Sequence, residues 1–371
     1  MVNQPQFNSS LIPKNIKILI TVPRLDLPGG VSSLYNILKM DQYSSIRYFS
    51  VNSKLRGPIG SILGLPFRYL IFFFKSLNTS VVHLNPSLDK KSYYRDMLFC
   101  LIARLTRSKI VVYWHGWQID FGRKLMQNSL NRFLFRQSFC KAKTTIVLGN
   151  IFQKELESMG YRNRILIGTN AADDSFLTGP PKSRSKANVP CGILFISRIE
   201  REKGIYIVLQ TAKILETLHA GKYEFYIAGT GMDLDNAKSF ASDLKLPNVK
   251  FFGYTDGLEK HNLFSKSDML FFPTYYPEGL PIVILEALLY GLPVITRPIG
   301  GVPDVIENNK HGFVTESLDP NIYAGMIEQL CSNSDLYSAI SFNNIKLASE
   351  HILPDKVRIW LQEIYLEVIK G

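Results

Sequence analysis

At 371 residues the chain exceeds one ordinary hydrophobic core and is expected to fold as two domains. A composition of 46% hydrophobic and 20% charged residues excludes a disordered chain, and no apolar run reaches the roughly 18–20 residues of a spanning helix. Residues 1–180 hold 24 Lys+Arg against 9 Asp+Glu, whereas 181–371 hold 19 against 22, so the net charge of +12 belongs to the first half, which is expected to face something anionic.

Cys100, Cys140, Cys191 and Cys331 have no metal-ligand spacing and read as buried free thiols of a reducing cytoplasm. The first fifteen residues lack the charged-then-apolar order of a signal peptide, so a cytoplasmic protein, soluble or bound to a surface, is expected.

In chain order, residues 16–22 predict a strand and 31–40 a helix, joined by Pro28-Gly29-Gly30-Val31. Two glycines after a first strand let the backbone approach a ligand closely; a plain tight turn is the alternative. Strands are predicted near 46–52, 80–84, 109–114, 143–148 and 163–167, with helical patterns between them. This alternation predicts a parallel sheet covered on both faces, with ligands at the carboxyl ends of its strands. His83 and His115 stand at such ends, and Gly116 allows close approach beside His115. A lone His is more often structural, which is the reading favoured for His83.

Basic charge gathers in three aromatic-rich segments, 56–75, 90–109 and 123–143. Tyr94, Leu98, Leu101 and Leu105 form an apolar stripe at helical spacing, and Arg132 and Arg136 share a face. Each segment alone reads as a core helix with a solvated basic side. Together they favour a surface facing anionic lipid headgroups over nucleic acid, for which no recognition motif is present. Residues 168–190, rich in Gly, Pro, Ser and charge, read as a linker, with domains at 1–178 and 179–353 and a final helix at 354–371.

The second half opens with a strand at 192–196, then Ser197-Arg198-Ile199-Glu200-Arg201-Glu202-Lys203-Gly204, where Arg198 and Lys203 can neutralise a diphosphate or be ordinary surface charges. A strand at 224–228 leads to Gly229-Thr230-Gly231, but Leu234 stands where a dinucleotide fingerprint needs its third glycine. Asp233-Leu234-Asp235 reads as a helix start, not a metal site. A strand at 249–252 ends in Gly253-Tyr254.

The richest stretch is 267–313. Strand 269–272 is followed by the turn Pro277-Glu278-Gly279-Leu280-Pro281, a helix over 282–290 ended by Gly291, and a strand at 293–296. Pro281 suits the first helical position, and the amides of Ile282, Val283 and Ile284 are expected to be free there. A strand, a tight turn and a free helix N-terminus make a phosphate site. Glu278 precedes the helix, and Glu286, more than a turn in, suits a neighbouring hydroxyl. Helices are predicted near 319–333, 335–350 and 354–369.

Glu278-Gly279-Leu280-Pro281-Ile282-Val283-Ile284-Leu285-Glu286 matches the E-x7-E signature and resembles the retaining GT-B glycosyltransferases of family 4. Gly300-Gly301-Val302-Pro303-Asp304-Val305 and Asn309-Lys310-His311-Gly312-Phe313 are also similar to that family. The resemblance implies a fold of two doubly wound domains facing across a cleft, with the last helix returning to the first domain. It implies that Arg198, Lys203 and the Ile282–Ile284 amides hold a nucleotide diphosphate, Glu286 the ribose, and Glu278, Gly279 and Leu280 the sugar side. Gly229, Gly253 and Tyr254 border the donor, while Gly29 and Gly30 meet acceptor and phosphate. His115 reaches the donor sugar or the acceptor.

The anomeric configuration is expected to be retained, with no protein nucleophile assigned and no metal or cofactor required. The acceptor is expected to be a lipid-linked saccharide of a bacterial surface polysaccharide pathway, met at the anionic inner face of the membrane, with a soluble acceptor as the runner-up. An inactive GT-B nucleotide-binding or scaffolding protein is the alternative of a different class, and a dehydrogenase is disfavoured by the missing glycine fingerprint.

Overall fold

The computed structural model describes residues 11–27, 29–52, 57–177 and 184–371. Pro28, Arg56 and the 178/179 boundary lie outside the described residues. The chain divides into two compact units, Met1–Gly168 with Asp355–Gly371, and Thr169–Pro354. Residues 169–177, read above as linker, thus belong to the second unit.

The first unit contains β1 (Ile18–Val22), α1 (Gly30–Leu38), β2 (Ile46–Ser50), α2 (Gly57–Ser76), β3 (Val81–Leu84), β4 (Ser87–Leu88), α3 (Lys90–Leu105), β5 (Lys109–Tyr113), β6 (Gly116–Trp117), α4 (Ile119–Gln127), α5 (Ser129–Gln137), β7 (Thr144–Val147), α6 (Asn150–Ser158) and β8 (Arg164–Ile167). Its main sheet is wholly parallel, in the order β2-β1-β3-β5-β7-β8, and β4 pairs with β6 beside it. Every residue of β1, β3 and β7 is buried, as a parallel sheet sandwiched between helices requires. The connections β2 to β3, β3 to β5 and β5 to β7 run in one direction across the sheet. Right-handed crossovers therefore lay α2, α3, α4 and α5 on one face. Phe72 of α2 closes this layer against Phe49 and Phe99, with ring centroids 5.1 and 4.8 Å away.

The second unit contains β9 (Cys191–Ile196), α7 (Ile205–Leu218), β10 (Tyr223–Ala228), α8 (Leu234–Asp243), β11 (Val249–Gly253), α9 (Gly257–Lys266), β12 (Met269–Phe272), α10 (Ile282–Leu289), β13 (Val294–Thr296), α11 (Val302–Val305), β14 (Gly312–Val314), α12 (Pro320–Ser332) and α13 (Ser334–Leu347). Its sheet, also parallel, runs β11-β10-β9-β12-β13-β14. The edge strand β14 was not foreseen, because three residues inside a glycine-rich motif carry no readable period. A π-helical turn, Ala348–Ile352, extends α13, and Leu353 is extended ahead of Pro354.

Pro354 opens α14 (Pro354–Lys370), which packs on the first unit. The Lys109 ammonium donates to the Ile369 carbonyl at 2.8 Å, and Arg164 pairs with Glu367 at 2.5 Å. Tyr365, fully buried, shares a 2.5 Å hydrogen bond with His83 Nδ1.

Strand order locates the ligand-binding ends. In the second unit the chain leaves β9 toward β10 and leaves β12 toward β13, so the connections diverge between these neighbours. The loops after β9 and β12 flank that crevice. In the first unit the same divergence falls between β1 and β3.

Candidate functional site

The loops after β9 and β12 are tied to one another. The Glu202 carbonyl accepts the amides of Tyr275 and Tyr276 at 2.8 and 3.0 Å and the Thr274 hydroxyl at 3.3 Å. Gly204 has φ +90°, and a Cβ there would lie 2.5 Å from the Pro273 carbonyl oxygen, so glycine is required on two counts. This contact seats Lys203, which is buried and ion-paired with Glu278. Its ammonium lies 4.2 Å from the Tyr276 ring centroid. Burial lowers the Lys203 pKa and the neighbouring Glu278 carboxylate opposes that shift. Arg198 is the outer cation, pairing with Glu200 at 2.6 Å and standing 5.2 Å from the same ring.

The Glu278 turn is backed by the glycine loop after β13. The Gly301 amide donates to the Gly279 carbonyl at 2.7 Å. Gly300 has φ +51°, and a Cβ on it would press into the carbonyl oxygens of Glu278 and Gly279. Gly300→Ala is therefore expected to destabilise the second unit by about 1–3 kcal/mol. It should also displace the turn, and a lowered melting temperature reads the loss.

Asn170, buried, donates to the Leu280 carbonyl at 2.8 Å. Sequence reasoning missed it because it lay in the presumed linker.

The helix starts at Ile282, as expected, but Pro281 is not its first helical residue. Pro281 is its N-cap, with φ −64° and ψ 124°, and α10 begins at Ile282. The Ile284 amide, expected to be free, donates to the Pro281 carbonyl at 3.2 Å. The Ile282 and Val283 amides make no backbone bond among the described residues. Glu286 is buried on α10 and pairs with Lys260 of α9 at 2.5 Å. Burial raises its pKa, Lys260 pulls it down, and the Asp173 carboxylate adds a small upward push. Lys260 was also missed, since nothing in the spacing of α9 ties it to a residue 26 positions away. Beside this pair His261 Nδ1 shares a 2.5 Å hydrogen bond with the Tyr290 hydroxyl.

Tyr254, at the end of β11, is 65% exposed, so its ring is open to a ligand and not spent on packing. Gly229 has φ +127°, and a Cβ would strike the Ser197 carbonyl; its amide donates to the Gly253 carbonyl at 2.5 Å. Its glycine is required by this crossing of backbones, which shapes the loop carrying Arg198. Asp233 holds the N-cap position of α8 without bonding its first turn, and its carboxylate accepts the Arg201 amide at 2.7 Å and the Tyr206 hydroxyl at 3.3 Å.

In the first unit the carboxyl ends of β1, β3 and β5 hold a polar network. The Asn85 amide nitrogen donates to the Thr21 carbonyl at 2.7 Å, which fixes the amide's orientation. Its oxygen accepts the Tyr35 hydroxyl at 2.9 Å and His115 Nε2 at 2.8 Å. Nε2 therefore carries the hydrogen and Nδ1 is the basic side of the ring. Burial lowers the His115 pKa to about 3, so the ring is neutral at physiological pH. His83 is fully buried between Tyr35 and Tyr365, a packing role. Gly29 caps α1 in an extended conformation and Gly30 is its first residue; beyond its own turn, no atom of the described residues lies within 4 Å of a Cβ on Gly30. Neither backbone strain nor crowding requires glycine at Gly30.

Residues 182–347 match the family model "Glycosyl transferases group 1". The amylovoran biosynthesis glycosyltransferase AmsK of Erwinia amylovora is 28% identical over 85% of this chain and 72% of that protein. The putative colanic acid biosynthesis glycosyltransferase WcaL of Escherichia coli is 21% identical over 70% of this chain and 61% of its own length. Among solved structures, Anabaena Alr3699/HepE in complex with UDP and glucose superposes with a TM-score of 0.70, at 16% identity, over 95% of this chain and 100% of that one. Sucrose-phosphate synthase from Thermosynechococcus elongatus gives 0.67 at 14% identity, over 96% and 99%. The two structural likenesses carry the fold, two parallel six-stranded sheets of GT-B type. With the sequence matches they identify the second half of the molecule: residues 182–347 form a glycosyl transferases group 1 domain, within a chain whose fold is that of the GT-B glycosyltransferases.

Proposed function

We propose that the protein is a retaining glycosyltransferase that moves a sugar from a nucleotide-diphosphate donor to a lipid-linked saccharide in bacterial surface polysaccharide assembly, working at the inner face of the cytoplasmic membrane. The observation that carries the donor half is the second unit's cluster at the β9/β12 crevice. There Lys203, ion-paired with Glu278, and Arg198 lie in the loop after β9, while the Ile282 and Val283 amides, which make no backbone bond among the described residues, open α10 between Glu278 in the turn and Glu286 on the helix.

In this reading Lys203, Arg198 and the two amides receive the diphosphate, supplying fixed positive charge as the leaving group gains negative charge. Glu286 accepts the ribose hydroxyls, Glu278 the sugar hydroxyls, and the exposed Tyr254 ring borders the base. The bond from the anomeric carbon to phosphate oxygen breaks as a bond to the acceptor oxygen forms on the same face. The acceptor's proton passes to the departing phosphate, so no protein nucleophile is needed. The pathway is supported by the names of relatives, which act in amylovoran and colanic acid synthesis. UDP and UDP-glucose bound to the Anabaena neighbour make UDP-sugars the first donors to try.

Incubation with a panel of nucleotide sugars should give slow hydrolysis of one donor. No turnover and no nucleotide binding across the panel would refute the reading. His115, on the acceptor side, offers Nδ1 to a sugar hydroxyl. His115→Ala is expected to lower transfer about 10–100-fold. Because the ring titrates near pH 3, the wild-type pH–rate profile should show no limb from His115 between about pH 5 and 9.

A further inference from the structure

We propose that the outer side of the α2–α3–α5 layer is a membrane-seating face that inserts Phe67, Leu70 and Phe74 into an anionic bilayer. The proposal deepens the lipid-linked acceptor reading by naming the surface that meets the lipid.

Helix α2 is amphipathic in an unusual sense. Its inner face buries Phe72 and Ser76, while Phe67, Leu70 and Phe74, at spacings of three and four, point outward. Phe67 is 64% and Phe74 61% exposed. The face continues on neighbouring helices. Leu98 and Leu105 of α3 are exposed, since α3 buries Tyr93, Met97 and Cys100 and turns the Tyr94–Leu98–Leu101–Leu105 stripe away from the core. Leu130 and Phe133 of α5 are exposed too. The three helices are bonded side by side: the Tyr69 hydroxyl donates to the Arg95 carbonyl at 3.3 Å, and the Tyr94 hydroxyl to Asn131 Oδ1 at 3.3 Å. Single exposed apolar residues are ordinary, but a run of them over three adjacent helices marks a binding surface.

Charge decides the occupant. Lys75, Lys90, Lys91, Arg104, Arg132 and Arg136 are exposed on these helices. Their one acid, Asp96, is buried and bonded to Arg95 at 2.7 Å. A second copy of the chain meeting this face would set like charges together in a twofold contact. An anionic bilayer supplies negative headgroups for the cations and acyl chains for the rings. No helix among the described residues is long and apolar enough to cross, so the contact is a seating on the surface.

The test is co-sedimentation with phosphatidylcholine vesicles, with and without phosphatidylglycerol, for the wild type and Phe67→Ser/Phe74→Ser, alongside sedimentation velocity without lipid. The wild type should bind the phosphatidylglycerol vesicles. The double variant, whose net charge is unchanged, should bind at least tenfold more weakly with donor hydrolysis intact. Absence of wild-type binding, or equal binding by both proteins, overturns the proposal. A wild-type dimer that the double variant dissociates, without vesicle binding, assigns the face to a second copy and also overturns it. Donor hydrolysis is read separately, so a failed membrane contact leaves the glycosyl-transfer reading standing.

Discussion

Lys203→Met is expected to lower kcat/KM for sugar transfer by about 10²–10³, a loss of roughly 3–4 kcal/mol of transition-state stabilisation. The reason is position. Lys203 is the buried cation of the pair, whereas the Arg198 side chain is 55% exposed and screened by water. The methionine fits the same channel over Tyr276, so packing is largely kept. Glu278 loses its partner but is 21% exposed and can take up water. Steady-state kinetics checks this, with nucleotide affinity measured alongside. A fall in kcat with modest change in affinity is the signature of charge met in the transition state. Unchanged kinetics would remove Lys203 from the chemistry.

Lys260→Met should make nucleotide binding depend on pH. The charged and titratable groups facing Glu286 are Lys260 from α9, Asp173 from the segment before β9, and Tyr290 at the C-cap of α10. Only Lys260 favours the carboxylate. Without it, burial and Asp173 act unopposed and the Glu286 pKa climbs further above its unfolded value. The folded variant then binds more protons than the unfolded chain above the ordinary carboxylate range, so its stability should fall as pH rises from there through the raised pKa. Ribose recognition runs the other way, because the ionised carboxylate is the better acceptor. Calorimetric titration with uridine diphosphate should show affinity weakened about tenfold at pH 6 and partly recovered at pH 9, each pK unit counting for a factor of ten. The wild type, with Lys260 opposing the rise, should change less over the same range. A variant with no pH dependence would show that Lys260 does not hold the charge of Glu286.

Much of this was legible before any coordinates. The buried strands announce themselves as short runs of Val, Ile and Phe, and 269–272 coincides with β12 to the residue. The Glu278–Glu286 spacing, the glycine loops and the Arg198–Lys203 pair are local patterns, and local patterns survive in sequence. The misses are mostly long-range. Glu286 and Lys260 meet across 26 positions, Asn170 and Leu280 across 110, and the sulfurs of Cys191 and Cys331, 2.9 Å apart, across 140.

The sequence by itself determined the alternating strand–helix order, the family motif and the basic first half, because each depends on residue type and near spacing. Only the tertiary structure decided which face of α3 looks outward, which cation backs each acid, and that the Ile284 amide is already bonded. Helical period says that Tyr94, Leu98, Leu101 and Leu105 share a side. It takes the packing of the facing residues, Tyr93, Met97 and Cys100, to say which side meets water.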